Sequence, residues 1–240
     1  MPGFLDYFFS VNFAIGTLIT LALTLVSMFL AVAVGSVLAL LKTSGLPFVK
    51  RPIGIYVWVF RGTPILLQLI FVFNALPQIG LRFSAFTSAV IALTINESAY
   101  MTEIIRAGIE SVDKGQTSAA RVLGLKEGQI MRHIVLPQAL RLVIPPTGNQ
   151  FIGMLKMSAL ASVIAVQDLM LRAQRIAAEN FDYIDTLIAA AAWYLVLTTL
   201  FTYGQQFLER RFDVTKRERP AARKVGSGHM VLGETGSDAR

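Results

Sequence analysis

Long unbroken runs of apolar residues alternate along the chain with short polar segments. The runs occupy residues 15–41, 53–76, 85–105, 140–166 and 186–207. Each has room for the roughly 20 residues that a helix needs to cross the hydrocarbon core of a bilayer. No water reaches the backbone in lipid, so spanning segments are helices or a closed barrel. A barrel shows short strands of alternating polarity, whereas these runs are continuous. The pattern therefore predicts an all-α integral membrane protein with five transmembrane helices. Arg61-Gly62-Thr63-Pro64 interrupts the second run. Pro64 lacks an amide proton and Gly62 is flexible, so the helix is expected to kink or restart there. Pro145, Pro146, Gly148 and Gly153 loosen the fourth run.

The polar stretch 115–137, between the third and fourth runs, has an amphipathic pattern of its own. A first short helix is expected to carry Ala119, Ala120, Val122 and Leu123, with Gly124 ending it. A second follows, with Ile130, Ile134 and Val135 on its apolar side, and Pro137 opens the next long run. Polar connections of this length are usually functional. This one offers apolar knobs to a soluble partner.

Charge supplies orientation. Cytoplasmic loops carry the Lys/Arg excess. Lys42, Lys50 and Arg51 follow the first run, Lys114, Arg121, Lys126, Arg132 and Arg141 lie between the third and fourth, and Arg210, Arg211, Lys216 and Arg217 follow the fifth. The other side has Arg82, Arg172 and Arg175, offset by Glu179, Asp182 and Asp185. The N-terminus is therefore expected outside and the C-terminus in the cytoplasm. No Lys or Arg precedes Lys42, so the first run lacks the basic flank of a signal peptide. The net charge of +7 fits contact with anionic headgroups and not with nucleic acid. With only 15% charged residues and 54% hydrophobic ones, the chain departs from a soluble domain, where about 25% are charged. It has no cysteine, which removes disulfides and thiol catalysis. Residues 1–214 are expected to form the membrane domain, and 215–240 a polar, disordered tail.

Ala119-Ala120, three residues, Gly124, nine residues, then Ile134-x-Leu136-Pro137 resembles the coupling-loop motif of bacterial ABC-importer permeases. Arg61-Gly62-Thr63-Pro64, Ala99-Tyr100-x-x-Glu103-Ile104-x-Arg106, Gly115-Gln116 and Leu136-Pro137-Gln138-Ala139-Leu140-Arg141 are similar to the polar amino-acid subfamily, which serves histidine, glutamine, glutamate, arginine and opines. Their order extends over most of the chain. The resemblance implies a type I ABC-importer permease fold in the bacterial inner membrane. It also implies a second permease, identical or related, two cytoplasmic ATPase subunits that use ATP and Mg, and an extracytoplasmic solute-binding protein. Gln116, Ser118, Ala119, Ala120, Gly124, Leu125 and Glu127 would meet the ATPase. The family usually has Glu where Ser118 stands, and Gln116, Arg121 or Glu127 are candidate substitutes for its contact.

Asn96, Glu97 and Tyr100 on the third run, and Gln150, Lys156 and Ser158 on the fourth, are candidates for a substrate pathway. Ionisable groups inside a span are costly and face protein or a water cavity. Glu97 could meet an α-ammonium and Lys156 a carboxylate, giving complementary ends for a zwitterion; the alternatives are that the two simply pair or that Glu97 packs at a subunit interface. Where the family usually shows Lys-Asp-Thr-Ser-Leu, this chain has Lys156-Met157-Ser158-Ala159-Leu160, so an acid and a hydroxyl are missing. Arg61, Gly62, Pro64, Glu103 and Arg106 suit a structural or gating role. Arg61 is expected to reach the cytoplasmic headgroups or pair with Glu103, and Glu103 and Arg106 are spaced for an intrahelical pair. His133 is read as solvated or partner-facing. The sequence has no phosphate-binding Gly-x-x-x-x-Gly-Lys-[Ser/Thr] loop, so this chain is not expected to bind ATP or act as an enzyme. A carrier driven by an ion or proton gradient, with Glu97, Glu103 and Lys156 as a relay, is the rival reading.

Overall fold

The computed structural model describes residues 3–44 and 46–212; the predicted tail 215–240, with Lys216 and Arg217, lies outside them. The chain forms α1 (Phe4–Phe8), α2 (Val11–Thr43), α3 (Pro47–Gly62), α4 (Ile65–Ile70), α5 (Ala85–Glu110), α6 (Lys114–Val122), α7 (Glu127–Ile130), α8 (Leu136–Met157), α9 (Leu169–Asn180) and α10 (Tyr183–Phe212). Short π-helical turns at Phe71–Ala75 and Met131–Val135 follow α4 and α7, and a 3-10 turn, Ser158–Ile164, extends α8.

Each apolar run becomes a helix or a helix pair. Among the described residues, α2 and α10 are each long and apolar enough to cross a membrane. The pair Pro47–Gly62 with Ile65–Ile79, bent by 103°, and the pair Glu127–Ile164 with Leu169–Asn180, bent by 53°, raise that number to as many as four. The second run is interrupted at Arg61-Gly62-Thr63-Pro64, as expected, and the interruption is a sharp bend. Thr63 is extended (φ −110°, ψ 143°), the conformation that a following proline imposes, and the chain turns a corner there. The third run, α5, has 26 residues and a length of about 39 Å at 1.5 Å per residue, but its apolar character is diluted by buried Ser88, Asn96, Glu97, Ser98 and Thr102.

Those polar residues face protein, because α5 is the hub of the bundle. It packs along α2 at small residues such as Ser27 and Gly35, and Thr20, Thr24, Ala31 and Ala39 of α2 are also buried. Small side chains let membrane helices approach closely. A Cβ on Gly35 would stand 2.6 Å from the Met101 Cβ, so this crossing requires glycine. Thr24 donates to the Thr20 carbonyl at 2.8 Å and Thr102 to that of Ser98 at 2.7 Å, which satisfies hydroxyls that have no water available. Lys42 near the end of α2 pairs with Glu103 near the end of α5 at 2.6 Å. Both helices therefore finish at the same end of the bundle, where α6 and α7 follow. At the opposite end, α1 packs under α10: Trp193 Nε1 donates to the Phe8 carbonyl at 2.9 Å and its ring stacks on Phe8.

Candidate functional site: a cavity in the bundle and a surface segment

The corner between α3 and α4 opens a cavity of about 800 Å³. Arg61, Gly62, Thr63, Pro64 and Ile65 line it from the corner, Asn96, Glu97 and Tyr100 from α5, and Gln150, Gly153, Lys156, Met157 and Leu160 from α8 and its 3-10 extension. Spacings of three and four residues put each set on one helix face. A broken helix leaves carbonyls unpaired, and here side chains take them up. Asn96 Nδ2 donates to the Phe60 carbonyl at 2.8 Å. Gln68 Nε2 donates to the Phe60 carbonyl at 3.0 Å and to the Thr63 hydroxyl at 2.9 Å. The corner is thus fastened to α5, and the cavity has a fixed wall.

Five of the six predicted pathway residues meet in this cavity: Asn96, Glu97, Tyr100, Gln150 and Lys156. Ser158 does not. It is fully buried behind the wall, and its hydroxyl donates to the Leu155 carbonyl at 2.8 Å. The turn from α-helix to 3-10 helix at this point carries it away from the lumen. Glu97 is 1% exposed and its Oε1 has no hydrogen-bond partner among the described residues. Lys156 lines the same cavity and is exposed. The two form no ion pair among the described residues, so the two side chains line the cavity separately and the simple pairing is set aside.

Arg61 joins them, contrary to the expected partner. Its guanidinium lies 4.9 Å from the centroid of the Tyr100 ring, a cation–π contact. Glu103 is held instead by Lys42 at 2.6 Å and by Arg106 at 2.8 Å. Depth is the reason. The Asn96–Phe60 bond fixes the end of α3 level with Asn96, about 10 Å along α5 from Glu103 at 1.5 Å per residue. For the same reason Arg61 does not stand at the bundle end that carries Lys42. Gly62 and Pro64 line the cavity, while Arg106 reaches Glu110 as well as Glu103. The sequence reading missed Thr63 and Gly153 in the lining and Gln68 behind it. Gln68, a buried amide in the apolar stretch four residues beyond Pro64, is the signal that would have found the fastening.

The polar segment folds as two short helices, as expected. Asp113 caps α6. Val112, Ala120, Ile130, Val135 and Ala139 form a buried cluster, with Leu125 and Ile134 packed against it. Ala119, about 100° round α6 from Ala120, is exposed, so the two alanines do not share the apolar face. Val122 is 88% exposed and Leu123 is 79% exposed. Gly124 follows at φ +81°, a left-handed conformation that glycine adopts without strain. Gln116 and Glu127, two candidate substitutes for the missing acid, are already engaged. Gln138 Nε2 donates to Gln116 Oε1 at 2.7 Å, and Arg121 grips Glu127 through two bonds, one at 3.1 Å. That hydrogen-bonded guanidinium holds the Glu127 carboxyl below the usual carboxylate range. Ser118 is exposed on the same helix. His133 Nδ1 donates to the Gln129 carbonyl at 3.0 Å.

Comparison with known proteins identifies the architecture. The family model described as "Binding-protein-dependent transport system inner membrane component" matches residues 31–214. The arginine transport system permease protein ArgU of Corynebacterium glutamicum is 40% identical over 236 residues, covering 92% of this chain and 75% of that protein. The arginine transport system permease protein ArtQ of Bacillus subtilis is 41% identical over 198 residues, covering 82% and 90%. A crystal structure of an amino acid ABC transporter superposes with TM-score 0.79 at 43% identity, covering 83% of this chain and 94% of that one. The MetNI methionine ABC transporter, at 20% identity, shares the fold with TM-score 0.68. The chain belongs to the binding-protein-dependent transport system inner membrane components, the multi-pass helical permeases of ABC importers.

Proposed function

We propose that this permease passes a polar amino acid or a close derivative through the cavity between the α3–α4 corner, α5 and α8. The observation that carries the reading is the charge arrangement there. One carboxylate, Glu97, and two cations, Arg61 and Lys156, line a single cavity of about 800 Å³. A buried carboxylate oxygen without a partner costs about 1–3 kcal/mol, and a substrate ammonium would supply the missing bond. Arg61 or Lys156 would receive the substrate carboxylate. The cavity lies in the size range of small-molecule sites, roughly 300–1,000 Å³. Two relatives are named as arginine permeases, which supports an amino-acid ligand.

Two ATPase subunits would dock from the cytoplasm onto α6 and α7, using ATP and Mg²⁺ themselves. Val122 and Leu123 are the knobs that a groove on the ATPase would take. Ser118, Ala119, Gly124 and Leu125 would shape that contact. A second permease would complete the pathway, and a solute-binding protein would deliver the ligand to the outer face. This requires the N-terminus outside and the end of α10 in the cytoplasm, as the basic loops indicate. Corner residues Arg61, Gly62 and Pro64 would gate the cavity, and Lys42, Glu103 and Arg106 would tie α2 to α5 as both move. Family membership argues against a carrier that works alone. The test is uptake by proteoliposomes holding the permease, its ATPase and its binding protein. ATP-dependent accumulation of one amino acid, lost in Glu97→Gln, is expected. Gradient-driven uptake by the permease without an ATPase would overturn the proposal.

A further inference from the structure

A second cavity, separate from the transport site, opens on the side of the bundle between α2, α5, α8 and α10, with a volume of about 760 Å³. We propose that it is a binding groove for one acyl chain of an anionic phospholipid from the cytoplasmic leaflet. Its walls are apolar apart from Ser36, Thr147 and Gln205. Two of these are satisfied within the protein. Thr147 donates to the Val143 carbonyl at 2.7 Å, and Gln205 Nε2 lies 3.0 Å from Asn149 Oδ1 and 2.7 Å from Glu209 Oε1. The groove therefore offers hydrocarbon contact and few polar bonds. Leu25, Leu40 and Leu208 on its rim are exposed, so it opens on the side of this chain.

Dimensions select the occupant. Along α2 the lining runs from Leu25 to Leu40, about 22 Å at 1.5 Å per residue. That length exceeds the roughly 15 Å of one leaflet, half of a hydrocarbon core of about 30 Å. A groove of this length holds one extended acyl chain along its whole extent.

Charge selects the headgroup. The groove ends beside Leu40, Ile109, Leu136 and Leu208, at the bundle end that carries the basic loops. Arg211 lies three residues beyond Leu208 and extends the same face of α10. Arg141 follows Leu140 at the edge of the α8 face. Both arginines are exposed, and neither forms an ion pair among the described residues. Basic residues at the cytoplasmic ends of membrane helices bind anionic headgroups.

The test uses the assembled transporter in nanodiscs containing phosphatidylglycerol or phosphatidylcholine with a photoactivatable acyl chain. Phosphatidylglycerol should label the groove faces of α8 and α10, and exceed phosphatidylcholine by about fivefold for each arginine. Arg141→Gln with Arg211→Gln should remove the preference and leave the labelled positions unchanged. Gly204 lines the groove, and among the described residues a Cβ there meets nothing within 4 Å. Gly204→Leu should therefore fill the groove and suppress labelling without a clash. Three results would each overturn the proposal: labelling spread evenly over every lipid-facing helix, equal labelling by both lipids in the unaltered protein, or a cross-link from position 204 to a second protein chain.

Discussion

Gly124 offers a sharp test because its conformation and its surroundings separate two effects. At φ +81° it lies in the left-handed region. Among the described residues a Cβ there meets no atom within 4 Å, so the cost of substitution is backbone strain. For an L-residue that strain is roughly 1–2 kcal/mol, and it is larger for a β-branched side chain. One to two kcal/mol changes a conformational ratio by a factor of about 5–30. If the ATPase grips the turn that presents Val122 and Leu123, Gly124→Ala should weaken coupling by about that factor and Gly124→Val by more. Asparagine tolerates the left-handed region, so Gly124→Asn should stay close to the unaltered protein. The assay is ligand-stimulated ATPase activity and ATP-dependent uptake in proteoliposomes, with membrane insertion checked by protease protection. Full activity in Gly124→Val would refute the reasoning. Equal loss in Asn, Ala and Val would show that close approach of the partner, and not backbone strain, makes glycine necessary.

The remaining predictions follow from burial and bonding. Val122→Ser with Leu123→Ser should leave thermal stability within about 0.5 kcal/mol, as exposed positions do, while ATPase co-purification falls sharply. Asn96→Ala strips a hydrogen bond from the Phe60 carbonyl and should cost about 1–3 kcal/mol, seen as a lower Tm in detergent. Lys156→Met should change ligand stimulation of the ATPase with the permease still inserted; stimulation equal to that of the unaltered protein with every amino acid would remove Lys156 from the site. Ser158→Ala should leave ligand stimulation unchanged, since the Ser158 hydroxyl is turned into the wall.

The apolar runs made the long helices legible, because lipid leaves the backbone no alternative. The α3–α4 corner was legible in place, from Gly62 and Pro64, but not in angle. A bend of 103° depends on Asn96 and Gln68 capturing carbonyls from a distance in sequence that no local pattern records. The cavity was legible because intramembrane Glu97 and Lys156 are too costly to leave without a purpose. Arg61 was placed at the wrong depth, since its depth is set by the Asn96–Phe60 bond. Helix α9 was missed: its short amphipathic stretch, with Ala173 and Ala177 buried, follows the end of an apolar run and lacks one of its own. In the surface segment, periodicity gave both short helices. Which alanine faces inward depends on how α6 sits over Ile130 and Val135.

The most direct test of the account is the side of the membrane on which α6 stands, and whether an ATPase covers it. The sequence has no cysteine, so Val122→Cys gives a single reactive site at a residue that is 88% exposed. A membrane-impermeant maleimide should label it in inside-out vesicles stripped of the ATPase, fail to label it in intact cells, and lose access when the ATPase is added back. Labelling in intact cells, or undiminished labelling under saturating ATPase, would contradict the account.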